Sequence, residues 1–416
     1  MKVQVGVFVV VCLLGSQALG VSIETVLVGN PGNAGEWSGE SYGGYGPDRI
    51  CGAVDYTYII GKFEVTTEQY TEFLNAVAAT DTHGLYNENM WLSSRGCKIQ
   101  RSGSSGSYTY SVPDANYANR PVNYVSWGDA ARFCNWLENG QPTGAQDLTT
   151  TEDGSYYLNS AMTNPQLQAV TREADATWVI PSEDEWYKSA YHKNDGVTGN
   201  YFDYPTISDT KPSNDLIDPD PGNNATFLDV DHTIGSPYWR TEVGAHENSE
   251  SPYDTFDQGG NVWEWNESIL GSGRVERGGS FDYSHEDFMH ASGRYSNVPT
   301  SEIDVIGFRV VLLKPALHTL VKPHPEWGYV TVEPNLPSYE PNTTVTLTAV
   351  LTEPGKVWTG WAGDVDPNDI YINPLTITMD ANKTITTGFK CGMGVGPMLP
   401  MILGLLGLFV WARRRG

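Results

Sequence analysis

The chain has 416 residues, more than one ordinary hydrophobic core organises, so its length predicts about two domains. A formal charge of −25 and a pI of about 4.5 argue against nucleic acid as a partner, because phosphate contacts need a basic surface. The acidic balance indicates a solvated surface and is also compatible with Ca²⁺ binding outside the cell.

The first 20 residues have the organisation of a secretory signal. Lys2 supplies a positive charge, Val7–Leu14 forms a short apolar core, and Ala18–Gly20 is a small-x-small cleavage motif. The apolar run is too short to cross a bilayer. We therefore expect an exported protein whose mature chain begins at Val21.

Three segments carry helix start signals. Each begins with a hydroxyl residue that is followed, three positions later, by a residue able to complete a capping box: Thr66 with Gln69, Ser126 with Asp129, and Ser182 with Glu185. Apolar residues then recur at helical spacing in the first two segments. The neighbouring carboxylates of Glu183 and Glu185 fit a helix N-terminus better than acid–base catalysis.

The chain between these helices is rich in Gly, Ser, Thr, Asn and Asp. The longest such stretch, 194–251, is polar and is interrupted by five prolines. A compact domain with so much irregular chain needs stabilising interactions other than the backbone hydrogen bonds of helices and sheets. A bound metal ion is one candidate.

Four cysteines remain once Cys12 leaves with the signal. A disulfide between Cys51 and Cys97 is a candidate in an oxidising compartment. Cys134 lies on the apolar side of the second helix and is expected to be a buried thiol.

The composition changes near residues 313–325. In the sequence after residue 325, Thr, Val and Ile alternate with turn residues, which predicts short strands of a small all-β domain. The expected organisation is a domain over 24–313, a linker over 314–325, a β-domain over 326–390 and a tail over 391–416.

The tail begins at Cys391 in a glycine-rich stretch and continues with an apolar run, Met398–Trp411, and three arginines, Arg413–Arg415. One interpretation is a plain membrane anchor whose arginines stop transfer. The arrangement also resembles the tripartite sorting tails of Gram-negative bacteria, which a membrane protease removes. That resemblance implies lipidation at Cys391.

Five segments, taken in order, resemble the formylglycine-generating enzyme (sulfatase-modifying factor) family. They read GKFEVTTEQYTEFLNAV, RPVNYVSWGDAARFCNWL, VIPSEDEWYKSAY, TFDQGGNVWEW with RVERGGSF, and GRYSNVPTSEIDVIGFRVV. The resemblance covers residues 26–313 and implies an α+β fold, C-type-lectin-like and loop-rich, with structural calcium. The β-domain, with GWAGD at 360–364, resembles a bacterial surface repeat module.

The resemblance implies a calcium site in TFDQGGNVWEW. Its ligands would be the side chains of Asp257 and Glu264 and the carbonyls of Gly260 and Val262. A carboxylate between two tryptophans is costly unless a cation or hydrogen bonds satisfy it. The alternative is that Glu264 accepts backbone N–H bonds.

A second calcium site of the family would use the side chain of Asn224 and the carbonyl of Ala225. Its acidic partner is not evident from the sequence, and Asp231 is the nearest guess.

The family's enzymes hold Cu(I) on two active-site cysteines, and thiolates suit this soft ion. The resemblance places these positions near Phe281 and Glu286, and no cysteine occurs from Gly278 to Val311. Copper is therefore not expected, and no catalytic residue is assigned.

The same segment contains His285 and His290, which can bind a metal such as non-haem iron. The competing interpretation is an exposed polar loop. Arg277, Arg294 and Arg309 are expected to brace loops through carbonyls or carboxylates.

The leading hypothesis is an exported, surface-anchored module that lacks the copper-binding cysteines and binds a peptide or glycan. Its partners would be that ligand, the membrane through the tail, and a sorting protease. One alternative is a divergent metal-dependent oxidase or oxygenase of the same superfamily. Another is an adhesive protein in which both domains are spacers.

Overall fold

The structure is a computed structural model that describes residues 20–42, 46–282, 288–313, 317–319, 327–335, 339, 343–379 and 383–391. The chain divides into two compact units after Leu313.

Three of the described helices of the first unit begin where the capping signals predict. Its described helices are α1 Thr67–Val77, α2 Asn89–Leu92, α3 Trp127–Glu138, α4 Asn164–Ala169 and α5 Glu183–Tyr191. All three predicted capping boxes are formed, and at α3 the Ser126 hydroxyl accepts from the Asp129 N–H at 3.1 Å. The short helices α2 and α4 were not predicted.

The strands of the first unit are short. They are β1 Thr25–Val28, β2 Glu36–Ser38, β3 Arg49–Cys51, β4 Tyr58–Gly61, β5 Gln100–Ser102, β6 Thr109–Ser111, β7 Trp178–Val179, β8 Trp263–Leu270, β9 Gly273–Arg277, β10 Tyr295–Asn297, β11 Ile306–Gly307 and β12 Val311–Leu312. Two four-stranded sheets have the orders β1-β4-β12-β7 and β10-β9-β8-β11, and β2-β3 and β5-β6 form two-stranded ribbons.

Aromatic packing joins the helices to the end of the unit. The rings of Tyr70 and Phe73 on α1 and Phe133 on α3 contact one another, and Phe133 also meets Phe308 at 5.4 Å between centroids. All four side chains are fully buried. Since Phe308 directly precedes Arg309, this core fixes the position of that arginine.

The second sheet brings distant motifs together. Glu264 on β8 lies opposite Arg277 on β9 and beside Gly307 on β11. The segments WEW, RGGS and GFR, which are not contiguous in the sequence, thus meet at neighbouring strands of one sheet.

The second unit is a small β-domain, as predicted. Its described strands are β13 Leu317–Thr319, β14 Gly328–Glu333, β15 Thr343–Leu351, β16 Lys356–Gly363, β17 Leu375–Met379 and β18 Lys383–Cys391. They form two sheets, β13-β18-β16 and β14-β15-β17. Alternate residues of β15, Val345 and Leu347, are buried with Trp361 of the GWAGD segment. β13 lies within the stretch expected as a linker.

Within the described part of the chain, no helix is long and apolar enough to span a membrane. The predicted signal, up to residue 19, and the tail from 392 to 416 lie outside the described residues. Cys391 ends β18, and its side chain is not described.

The expected disulfide is wrong, because Cys51 and Cys97 are both free thiols. Cys51 is buried beside Trp186 and Tyr187, whereas Cys97 belongs to the main core of the unit. The two cysteines therefore pack in different clusters. Cys134 is a free, fully buried thiol on α3, as predicted.

Candidate functional site

The carboxylate of Glu264 is fully buried and is paired with an arginine. Arg309 donates to it from Nε at 2.5 Å and from Nη2 at 2.7 Å, and the Trp186 indole N–H donates at 2.7 Å. Arg309 also donates to the carbonyls of Gly61 and Phe256, both at 2.9 Å. The predicted bracing role of Arg309 is confirmed, and this fork-to-fork pair explains a glutamate between two tryptophans.

Two further carboxyls lie around this pair. Glu64 is only 2% exposed, and neither of its side-chain oxygens has a hydrogen-bond partner among the described residues. Burial raises its pKa well above the usual range, with a contribution from the negative charge of Asp257. Burial likewise raises the pKa of Asp257 to about 6, although the Gly244 N–H donates to it at 2.6 Å. The neutral acid is favoured at Glu64.

The structure gives Glu264 a counter-charge other than calcium. Arg309 occupies both oxygens of that carboxylate. Among the described residues no three His, Cys, Asp or Glu side chains are grouped closely enough to hold a metal ion. The guanidinium of Arg309 supplies the positive charge that a cation would bring to this glutamate.

The glycine of the same segment serves close packing. Gly260 has φ +85°, and a Cβ there would lie 2.2 Å from the carbonyl oxygen of Thr226. That carbonyl accepts a hydrogen bond from the Asn261 N–H at 2.7 Å. The next residue, Val262, is fully buried. Gly260 therefore admits the contact that joins this segment to the chain after Ala225.

The second expected calcium residue has a different acidic partner. The side-chain amide of Asn224 donates to Asp220 at 2.5 Å. Asp220 also accepts from the Gly222 and Asn248 N–H groups, both at 3.0 Å, and from the Ser249 hydroxyl at 2.8 Å. These bonds lower the pKa of Asp220, although its burial opposes them. Asp220, rather than the guessed Asp231, is thus the carboxylate that contacts Asn224, and its hydrogen bonds organise this irregular stretch.

Glu183 is the second buried ionic centre. Its carboxylate accepts from Arg277 at 2.7 Å, from Arg294 at 2.8 Å and from Arg49 at 2.7 Å. Arg277 also donates to the carbonyls of Ala291 and Gly293. Three cations lower the pKa of Glu183 against the effect of burial. The predicted bracing by Arg277 and Arg294 is confirmed, and Glu183 has a structural role.

The region where the resemblance maps the copper-binding cysteines is described only in part. Phe281 is buried, while residues 283–287, including His285 and Glu286, lie outside the described residues. His290 contacts the Ser292 hydroxyl at 2.8 Å, and its other ring nitrogen lies 3.6 Å from Asp203. These contacts are those of a hydrogen-bonded histidine beside a loop.

A cluster that the sequence did not reveal surrounds Phe281. We call it the Arg95 cluster, and it comprises Arg95, His232, Trp239, Phe281, Asp282 and Asp304. The guanidinium of Arg95 lies 4.9 Å from the ring centre of Trp239 and 5.7 Å from that of Phe281. It pairs with Asp282 at 2.5 Å and with Asp304 at 3.4 Å. His232 also contacts Asp282, at 2.9 Å.

The charged members of the Arg95 cluster are accessible, with 22–30% of each side chain exposed. Beneath them lies Arg240, fully buried, which donates to the Arg95 carbonyl at 2.7 Å. Its Nε and Nη2 have no partner among the described residues, and burial lowers its pKa to about 10. The cluster thus combines fixed aromatic faces with charges of both signs at the surface.

Residues 52–314 match the sulfatase-modifying factor enzyme 1-like domain, and residues 320–392 match the divergent InlB B-repeat domain. The first match covers more than half of the chain, so the chain belongs to the sulfatase-modifying factor enzyme 1-like family. It carries a bacterial B-repeat domain after that domain. The predicted family and the loop-rich α+β fold class with an added β-domain are confirmed.

Solved structures similar to the chain include Treponema denticola variable protein 1, with 18% identity, a TM-score of 0.43 and coverage of 70% of this chain and 96% of that one. CarF has 17% identity, a TM-score of 0.39 and coverage of 70% and 98%. PvdO from Pseudomonas aeruginosa has 15% identity, a TM-score of 0.41 and coverage of 70% and 94%. No curated protein matches the chain.

Proposed function

We propose that the first unit is an exported, non-catalytic module that binds a peptide or glycan at the Arg95 cluster. The proposal is supported by the residues found in the segment that corresponds, in the resemblance, to the family's two copper-binding cysteines. Phe281 lies near the first of these positions, no cysteine occurs from Gly278 to Val311, and the Phe281 ring lies 5.7 Å from the guanidinium groups of both Arg95 and Arg240. A phenyl ring cannot hold Cu(I), whereas an aromatic and arginine surface is well suited to binding.

The cluster is pre-organised for recognition. Arg95 is held between two rings and two carboxylates, so a ligand would immobilise little further side-chain freedom. Charges of both signs lie at the surface and can pair with the charged side chains of a peptide. The mixed charge favours a peptide over a neutral glycan as the ligand.

The proposal is tested in two steps on the full chain. In the first, a peptide with the sulfatase motif Cys-x-Pro-x-Arg is incubated with the protein, Cu(I) and O₂. We expect no formylglycine by mass spectrometry, beside an active enzyme of the family as positive control. In the second, peptide and glycan arrays are probed with the protein and its variants.

Binding should depend on the Arg95 cluster. Arg95→Ala and Trp239→Ala should each weaken binding by at least about tenfold, the scale of a hot-spot residue. Arg101→Ala is the matched control, because Arg101 also stacks on two rings, at 4.6 Å on Tyr86 and 4.5 Å on Tyr108, and pairs with carboxylates in a separate cluster. Equal loss in all three variants, or formylglycine formation, would contradict the proposal.

We also propose that the chain is anchored at the cell surface through its tail. Support comes from Cys391 in a glycine-rich stretch, the apolar run and the three arginines that follow. In a Gram-negative host, the protein should fractionate with the envelope and incorporate a fatty-acid label. Cys391→Ala should abolish the label, whereas Cys134→Ala should leave it unchanged.

A further inference from the structure

A surface pocket of about 390 Å³ lies at the junction between Gly20 and Val21. Its other lining residues include Glu72 and Asn75 on α1, Trp136 on α3 and Gln141. Val21 is 8% exposed and belongs to the main core, although Gly20 and Ser22 on either side of it are exposed. The chain is therefore fixed in the core at Val21, the residue that follows the predicted cleavage motif.

Gln141 holds Val21 in this position through a hydrogen bond. Its side-chain amide donates to the carbonyl of Val21 at 2.8 Å. Its backbone has φ +60°, a left-handed conformation that an L side chain rarely adopts, and its N–H is fixed to the Trp136 carbonyl at 2.8 Å. The turn after α3 is thus held in a conformation that places this amide over Val21.

The other atom of the same amide lacks a donor. Gln141 Oε1 is buried and has no hydrogen-bond partner among the described residues. It lies so close to Gly20 that a Cβ there would be 2.4 Å away. A buried acceptor left without a donor is costly, and a group that donates to it would stabilise the folded state.

We propose that the Gly20–Val21 bond is a processing site and that the α-ammonium group of Val21 then binds in this pocket. A peptidase hydrolyses the bond with one water molecule. Gly20 leaves as a carboxylate, and the Val21 nitrogen gains protons and becomes an ammonium group. This inference rests on the export proposed above.

The pocket matches an ammonium group in both hydrogen bonding and charge. An ammonium group has three N–H donors, so one can satisfy Gln141 Oε1. The carboxylate of Glu72 lines the same pocket, and its pKa is raised by burial and by the negative charge of Glu68. A positive charge placed here offsets that repulsion.

The test exports the full chain in a Gram-negative host and compares four forms. They are the wild type, Gln141→Leu, Glu72→Gln and a form whose cleavage motif is moved upstream so that Gly20 is retained. Gln168→Leu is the control, because Gln168 also donates to a carbonyl, that of Gly271 at 2.9 Å, but lies on α4. N-terminal mass and the acetylation rate of the α-amine at pH 7 are measured.

We expect the wild-type chain to begin at Val21. Its α-amine should be acetylated at least about threefold more slowly than in Gln141→Leu or Glu72→Gln, which corresponds to a pKa rise of about half a unit. The form that retains Gly20 should melt about 2 °C or more below the wild type. Gln168→Leu should match the wild type in rate.

Two results would overturn the inference, and they are distinguishable. If the exported chain begins at Val21 but all forms react at the same rate, ammonium binding is refuted while export stands. If the protein stays in the cytoplasm with residues 1–20 attached, both this inference and the proposed export fail.

Discussion

Replacing Glu264 by Gln tests whether this carboxylate is the partner of Arg309 or a ligand of a cation. The variant keeps the shape and one acceptor oxygen but leaves the guanidinium of Arg309 buried without a counter-charge. Both residues are fully buried, and three charge-assisted hydrogen bonds converge on the carboxylate. Removing one member of a buried pair costs about 3–5 kcal/mol.

The free energy of unfolding would be measured in urea by tryptophan fluorescence, in EDTA and again in calcium. The single variants Glu264→Leu and Arg309→Met and the double variant Glu264→Leu/Arg309→Met would be compared. The double variant should lose less unfolding free energy than the two single variants together, with a coupling energy of about 2 kcal/mol or more. Glu24→Gln is the control, since Glu24 is 62% exposed and its pair with Lys62 should contribute less than about 1 kcal/mol.

Two outcomes would refute this reasoning. One is a loss below about 1 kcal/mol for Glu264→Gln, which would mean that the ion pair contributes little. The other is a wild-type protein that calcium stabilises and a Glu264→Gln variant that it does not. Glu264 would then be a cation ligand, and Arg309 would have another role.

Three further results are expected. Burial raises the pKa of Glu276 to about 8, so its contribution to stability is present at acidic pH and is lost as the pH rises through 8. Glu276→Gln should therefore be more stable than the wild type at pH 9, by roughly 1–3 kcal/mol, and should flatten the stability profile between pH 5 and 9. Dithiothreitol should leave the melting temperature unchanged, because Cys51 and Cys97 are free thiols, and both should react with a thiol reagent only after unfolding. Chelation with EDTA should also leave the melting temperature unchanged, since Arg309 neutralises Glu264.

Local features of this chain were predictable from its sequence. The capping boxes at Thr66, Ser126 and Ser182 were all identified correctly, because each depends on two residues three positions apart. The strand alternation in the second unit was also predictable, since the pleat places successive side chains on opposite faces.

Partners across long sequence separations were not predictable. The sequence indicated that Glu264 needed a counter-charge, but Arg309 was assigned only a general bracing role. Arg95 meets Asp282 only because the fold joins segments 187 residues apart. The disulfide prediction failed for the same reason, because two cysteines at a plausible spacing pack in different clusters.

The two strands that flank β4 bring the ends of the first unit close together, which matters for how this domain can be combined with other proteins. β1 and β12 both pair antiparallel with β4, and Val26 and Val311 lie on opposite sides of Ile60. Two interstrand spacings separate them, about 10 Å. A polypeptide that enters at β1 and leaves at β12 therefore returns almost to its starting point. Such a domain can be inserted into a loop of a host protein, or removed from it, without forcing the host's own ends apart.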